Sequence, residues 1–163
     1  MKTIIVTGTP GTGKTRLAKS LSIILNFTYI DVNKIIKDSK IYTKFDQEKQ
    51  TFIVDVKNLN KVLEKIILQS KKNLIIDSHL SHYLPRKYVD LCIVTKCDIK
   101  ILKMRLNKRK YKEEKLRENL DAEILDICLI EASENKHKIM IIDTSRRLNI
   151  KEVKELICQR LKN

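Results

Sequence analysis

Residues 8–15 read GTPGTGKT, the G-x-x-x-x-G-K-[ST] order that holds a phosphate chain. Glycines let successive backbone N–H groups turn inward, and a helix starting here adds the positive end of its dipole. Lys14 is spaced to reach β- and γ-phosphates, and the Thr15 hydroxyl to ligate Mg²⁺. A second group lies at residues 73–77, NLIID, an apolar run ending in Asp77. A carboxylate at that strand end accepts hydrogen bonds from metal-bound water or orients Thr15 and the metal. His79 stands two residues on, past the strand end, placed to position an attacking group or water or to report on nucleotide state. The third group is residues 103–115, KMRLNKRKYKEEK. Arg105 and Arg109 are one helical turn apart, so both face a nucleotide if the helix persists, and Arg109 beside Tyr111 is the expected phosphate contact.

Two further patterns carry less. His79 and His82 have H-x-x-H spacing, but no carboxylate or cysteine pattern accompanies them, so a zinc site is not expected. Residues 95–98, TKCD, match the guanine-reading [NT]-K-x-D motif, but no glycine follows Asp77 where a GTPase would need one. Asp98 is equally suited to capping the helix expected next.

These groups must be carried by an alternating scaffold. Strands are expected over 3–7, 28–30, 74–77, 91–95 and 139–143. Helices are expected over 14–25, 57–69, 99–108, 113–134 and 150–161. Uniformly apolar strands alternating with helices specify an α/β fold whose parallel sheet is covered on both faces, with ligands beyond the carboxyl ends of the strands. Residues 31–55 interrupt the alternation. They are polar, with Tyr42, Phe45 and Phe52 scattered through them, and long enough for one or two short helices.

The 163 residues suit one core rather than two. No long uncharged apolar stretch spans a membrane, and the first apolar run is too short for a secretory signal, so a soluble cytoplasmic chain is expected. Thirty-four basic against 20 acidic residues give a net charge of +14. That excess fits contact with RNA or an RNA-rich particle; it equally fits a solvated lysine-rich surface. The four cysteines, 92, 97, 128 and 158, form no C-x-x-C pair and read as free thiols.

In chain order, GTPGTGKT, the strand-end Asp77-Ser78-His79 with Pro85-Arg86 behind it, and residues 102–132 (LKMRLNKRKYKEEKLRENLDAEILDICLIEA) resemble the adenylate kinase isoenzyme 6 family of nucleoside monophosphate kinase-like ATPases. The second piece resembles the family's D-x-H signature and the third its R-L-x-x-R-x-Y lid. The resemblance implies a P-loop nucleoside monophosphate kinase fold: one domain over 1–163 with five parallel strands, a monophosphate-binding insertion at 31–54 and a short lid at 108–118. It implies that Gly11, Gly13, Lys14, Thr15 and Arg16 hold the phosphates of ATP, and that Arg109 meets the nucleotide from the lid. Asp77 and His79 would serve Mg²⁺ and the reacting phosphates. The implied reaction is Mg-ATP + AMP to 2 ADP, with associated ATP hydrolysis. The implied setting is small-subunit ribosome maturation and 16S rRNA processing, with a platform ribosomal protein, rRNA or pre-ribosomal particles as partners. An assembly ATPase whose AMP kinase activity is secondary is the alternative. Lys110 and Leu80 stand where the family has Gly, Lys37 where it tends to have Arg, and Arg16 where Thr is common. A shikimate-type acceptor ranks last, because residues 31–54 contain no arginine.

Overall fold

Short β-branched runs take the strands and amphipathic segments the helices, in nearly the expected places. The structure is a computed structural model that describes residues 1–46, 51–109 and 111–162. Of the features expected from sequence, residues 47–50 of the insertion and Lys110 of the lid lie outside the described residues. Strands β1 (Thr3–Gly8), β2 (Thr28–Asp31), β5 (Leu74–Asp77), β6 (Leu91–Lys96) and β7 (Ile139–Asp143) form one parallel sheet in the order β2-β5-β1-β6-β7. Helices α1 (Lys14–Leu25), α3 (Val56–Gln69), α4 (Ile99–Lys108), α5 (Glu113–Ile124), α6 (Ile127–Glu134) and α7 (Ile150–Lys162) follow the strands.

Alternation along β1 divides the core. Ile4 and Val6 pack with Leu17, Ala18 and Leu21 of α1 and with Val153 and Ile157 of α7. Ile5 points to the other face, among Leu59, Leu63 and Ile67 of α3 and Ala132 of α6. A smaller cluster of Cys97, Leu102 and Leu106, with Tyr111, Leu116 and Leu120 against it, joins α4 to α5. Burying a leucine-sized side chain contributes on the order of 2 kcal/mol, so a sheet apolar on both faces must be covered on both. All four cysteines are free.

Two expectations need correcting. The insertion holds one short helix, α2 (Val32–Asp38), capped by the Asp31 carboxylate at the N–H groups of Asn33 and Lys34. It continues not as a second helix but as a β-hairpin, β3 (Tyr42–Asp46) against β4 (Thr51–Val54); β-branched and aromatic residues are frequent there and favour the extended chain. The helix expected over 113–134 is broken, because Asp126 adopts a left-handed φ of 55°. The break has an electrostatic anchor. Lys96, at the end of β6, donates to the Glu123 carbonyl at 2.8 Å and pairs with the carboxylates of Glu123 and Asp126.

The TKCD segment is wholly occupied with such duties. Thr95 Oγ1 donates to Thr7 O at 3.1 Å. The Cys97 N–H donates to Glu123 Oε1 at 2.8 Å, and the Asp98 carboxylate caps α4 at Lys100 and Ile101. Among the described residues no helix is long and apolar enough to cross a membrane.

Gly8 ends β1 at φ +136°, and a methyl group there would lie 2.4 Å from Thr95 Oγ1 and 2.5 Å from the Thr95 carbonyl oxygen. Backbone strain and the forced parting of β1 from β6 both oppose a side chain. Gly8→Ala is expected to lower the unfolding free energy by about 2 kcal/mol or more. Urea denaturation checks this, and a midpoint unchanged from wild type would contradict it.

Candidate active site

The turn between β1 and α1 puts unpaired donors at the carboxyl edge of the sheet. It reverses through Gly11 at φ +96° and Gly13 at φ +92°. Gly13 caps α1 without a side chain, and the first turn of α1 carries no acidic residue. Its N–H groups therefore have no side-chain acceptor, which leaves them for an anion. Threonines hold the loop open. Thr12 Oγ1 lies 2.6 Å from Thr95 Oγ1 and donates to Thr9 O at 2.8 Å, and Thr144 Oγ1 donates to Thr12 O. A side chain at Gly11 would strike Leu102 and Leu106 of α4 at 2.8 Å, so the loop lies directly on that helix.

Lys14 is buried, and its Nζ donates to Thr9 O at 3.0 Å. Burial lowers its pKa to about 8; Asp77 pulls the other way, and Arg109 adds to the lowering. Asp77 is buried at the end of β5, paired in register with Val6 of β1. Its Oδ2 accepts from Tyr29 Oη at 2.9 Å, an interaction that, behind the burial of the phenol, raises the Tyr29 pKa. His79 stands at the rim of the cleft, with part of its surface exposed and its ring set among the cleft walls. Its surroundings, desolvation first and then Lys14, His82 and Lys115, lower its pKa and favour the neutral ring.

The loop is shared by two clefts. One, of about 790 Å³, brings together Gly11, Gly13, Lys14, Thr15, Arg16, Asp77, His79 and Arg109, the residues that the family resemblance assigned to the phosphates and Mg²⁺. The other, of about 730 Å³, lies towards α4 and the segment after β7. Gly11, Gly13, Arg16 and Arg109 line both. Arg109 caps α4, at the boundary between them. Arg105 faces the second cleft only, and it is engaged there: its guanidinium donates to Thr144 O at 2.7 Å and to Cys97 Sγ at 3.3 Å. From the insertion Asn33 reaches the first cleft, whereas Lys37 is exposed and does not line it.

Sequence reasoning missed Tyr83 and Glu131 in the first cleft and Thr144, Ser145, Arg146 and Arg147 in the second. The last four had a signal. They follow β7 at the same carboxyl edge that marks the loop. Glu131 had none, since its place depends on the break at Asp126.

The donor set near the loop fits a hard divalent cation. Thr15 supplies a hydroxyl and Asp77 a carboxylate, both oxygen ligands of the Mg²⁺ type. Among the described residues no group of three or more His, Cys, Asp or Glu could hold a metal by itself. Phosphate oxygens and water would complete such a shell.

A family model described as an AAA domain matches residues 4–126. A "Putative adenylate kinase" from Methanocaldococcus jannaschii is 38% identical over 160 residues, covering 98% of this chain and 86% of that protein. An "Adenylate kinase isoenzyme 6 homolog" from Dictyostelium discoideum is 34% identical over 140 residues, covering 86% of this chain and 79% of that protein. A solved shikimate kinase from Acinetobacter baumannii, in complex with shikimate, has a TM-score of 0.65 over 98% of this chain and 92% of that one, at 15% identity. That likeness is one of fold.

The lowered Lys14 pKa gives a signed expectation. The folded value lies below the ordinary 10.5, so a charged Lys14 costs stability at neutral pH, and the cost disappears as pH rises from about 8 towards 10.5. A bound triphosphate supplies the missing counter-charge and lifts the pKa again. At about pH 8.5, ATP binding should therefore take up a proton. Titration calorimetry in two buffers of different ionisation enthalpy reads this directly. Lys14→Arg, which cannot lose its proton, should abolish the buffer dependence. Equal heats in both buffers for the wild type would refute the assignment.

Proposed function

The chain belongs to the adenylate kinase isoenzyme 6 family, and from that membership and its two clefts we propose that it is a nucleoside monophosphate kinase carrying a phosphoryl group from ATP to AMP. The observation that carries this reading is the meeting of two nucleotide-sized clefts at one phosphate loop, with four residues common to both. Phosphoryl transfer needs two substrates in line with their phosphates adjacent and little covalent help from the protein.

In this reading the triphosphate lies along the loop, with backbone N–H groups of Gly11, Gly13, Lys14, Thr15 and Arg16 on its oxygens. Lys14 leaves Thr9 O to follow the β- and γ-phosphates. The donor nucleoside fills the second cleft, between Arg105 and Arg109 on one side and Thr144 to Leu148 on the other. AMP enters the first cleft beside Asp77, His79, Tyr83 and Glu131. Thr15 and Asp77 would hold Mg²⁺, whose positive charge would offset the negative charge of the phosphates. Tyr29 fixes the Asp77 carboxylate from behind. Neutral His79 orients the acceptor or a water without adding charge. Arg109, already at the boundary of the clefts, moves onto the transferring group. Closing residues 31–54 and 108–118 over the clefts excludes water.

A second reading, an assembly ATPase in cytoplasmic small-subunit ribosome maturation and 16S rRNA processing, is favoured by a separate feature. Residues 113–134 carry eight carboxylates against two cations in a chain of net charge +14. On their surface Ile124, Leu125 and Ile130 are about half exposed or more. Exposed carboxylates of this segment, Glu113, Glu114, Asp121 and Glu134, together with those apolar side chains suit a basic protein such as the platform ribosomal protein implied by the family. There water replaces AMP as acceptor, and the two activities can coexist on one site.

Lys14→Ala should cost at least about 2–4 kcal/mol of transition-state stabilisation, the worth of one preorganised electrostatic donor. Steady-state ADP formation checks it, and wild-type turnover in the variant would remove the loop from the mechanism. Comparing ATP turnover with and without AMP, and with and without the platform protein, separates the readings. Strict dependence on AMP with indifference to the protein marks the kinase. AMP-independent turnover raised by the protein marks the assembly ATPase.

A further inference from the structure

One buried group between the loop and the acceptor wall has no part in the reaction described above. His82 is 1% exposed, in the short 3-10 turn (Ser81–Tyr83) that follows β5. Its Nδ1 lies 2.7 Å from Thr7 Oγ1, and its Nε2 2.9 Å from Glu131 Oε2, outside good hydrogen-bond geometry. Its carbonyl oxygen accepts from His137 Nε2 at 2.8 Å, which fixes the turn itself. Glu131 Oε1 accepts from Tyr83 Oη at 2.6 Å. The line of contacts therefore runs Thr7, His82, Glu131, Tyr83.

Its two ends have different functions. Thr7 immediately precedes Gly8, and its carbonyl oxygen takes the Thr95 hydroxyl that also meets Thr12 inside the loop. Glu131 and Tyr83 line the first cleft. Burial holds His82 towards the neutral ring against the pull of Glu131. A neutral imidazole has one donor and one acceptor. With the Thr7 hydroxyl donating to Nδ1, the proton lies on Nε2 and faces the carboxylate. The hydrogen bonds at the two ends, Thr7–His82 and Tyr83–Glu131, are thus directional, and the His82–Glu131 contact that joins them is one of charge and packing. Thr7 lies in β1 directly ahead of the loop, so a displacement passed from the loop to its hydroxyl would reach the Glu131 carboxylate and the Tyr83 ring through a fully packed imidazole.

We propose that His82 is a positioning residue that couples the two clefts: filling the phosphate loop sets the acceptor wall through Thr7, His82 and Glu131, so that donor and acceptor bind with mutual cooperativity. The inference rests on the two-nucleotide reading above, and its test separates the two. The coupling is reciprocal by linkage, so it is measured from either side.

The measurement is calorimetric: the Kd of AMP with and without a saturating non-hydrolysable ATP analogue and Mg²⁺. In the wild type the analogue is expected to tighten AMP binding by about 5-fold or more. Thr7→Val, which keeps the volume and removes the hydroxyl, should cut that factor at least about threefold. Glu131→Gln should do the same. Thr7 and Glu131 are joined through His82, so the double variant should lose little more than either single one. Separate structural roles would instead make the two losses multiply. Thermal unfolding runs alongside, because a purely structural role moves Tm and leaves the factor alone. An unchanged factor in a folded Thr7→Val protein overturns the inference while leaving the kinase reading intact. Failure of the wild type to bind AMP at all overturns both.

Discussion

Everything in this site depends on a set of backbone donors left without partners at the start of α1. Such groups are costly to bury and ordinarily find acceptors. Here the sequence withholds them: Gly13 offers no capping side chain, and the first helical turn offers no carboxylate. The loop would relax towards internal pairing if nothing opposed it. Three threonines from separate segments oppose it. Thr12 comes from the loop, Thr95 from the end of β6 and Thr144 from beyond β7, and their hydroxyls tie loop to sheet. The anion site is therefore built before any anion arrives, and binding need not supply the ordering energy.

The sheet turns this one constraint into a working surface. Parallel strands end on the same edge, so the loop after β1, Asp77 at the end of β5, Thr95 near the end of β6 and Thr144 after β7 are neighbours although far apart in sequence. The Asp31 carboxylate at the end of β2 is spent on capping α2, which carries Asn33 to the first cleft. Lys96 shows how far the same edge reaches. By binding the Glu123 carbonyl and the carboxylates of Glu123 and Asp126 it breaks a helix, and the break turns α6 so that Ile127, Cys128 and Glu131 face the cleft.

What could be read from the sequence follows from whether local pattern or tertiary contact decides an element. The five strands and the helices over 14–25 and 99–108 are set by hydrophobic period, and they appear where that period puts them. The loop is set by spacing, and Asp77 by its place after an apolar run. Asp98 could be read in two ways, and the cap it makes for α4 settles which. The antiparallel pairing of β3 with β4 was not legible, because a polar insertion has no period to read. The break at Asp126 was invisible for another reason: its cause, Lys96, is distant in sequence and joined only in the fold. Arg105 and Arg109 share a helix face by count, yet Arg105 is drawn away by Thr144 O and Cys97 Sγ.

The two clefts differ in the charge balance of their walls, and this bears on which substrate suits which. The cleft towards β7 is lined by Arg16, Arg105, Lys108, Arg109, Arg146 and Arg147, with no acidic residue among its lining side chains. The other mixes Lys14, Arg16, Arg109 and Lys115 with Asp77, Glu118 and Glu131. A polyanion gains from each cation it approaches and loses against each carboxylate. At about 4 Å and an effective dielectric near 20, one such pair is worth on the order of 4 kcal/mol before solvent and entropy reduce it. A phosphate chain held at the loop, where the two clefts meet, therefore faces cations from both sides and carboxylates from the mixed side alone. A monophosphate, with less charge to repel and a base able to donate hydrogen bonds, tolerates the mixed one. In the proposed reading Asp77 would be occupied by the metal, which leaves Glu118 and Glu131 as the carboxylates that a second polyanion in the acceptor cleft would meet.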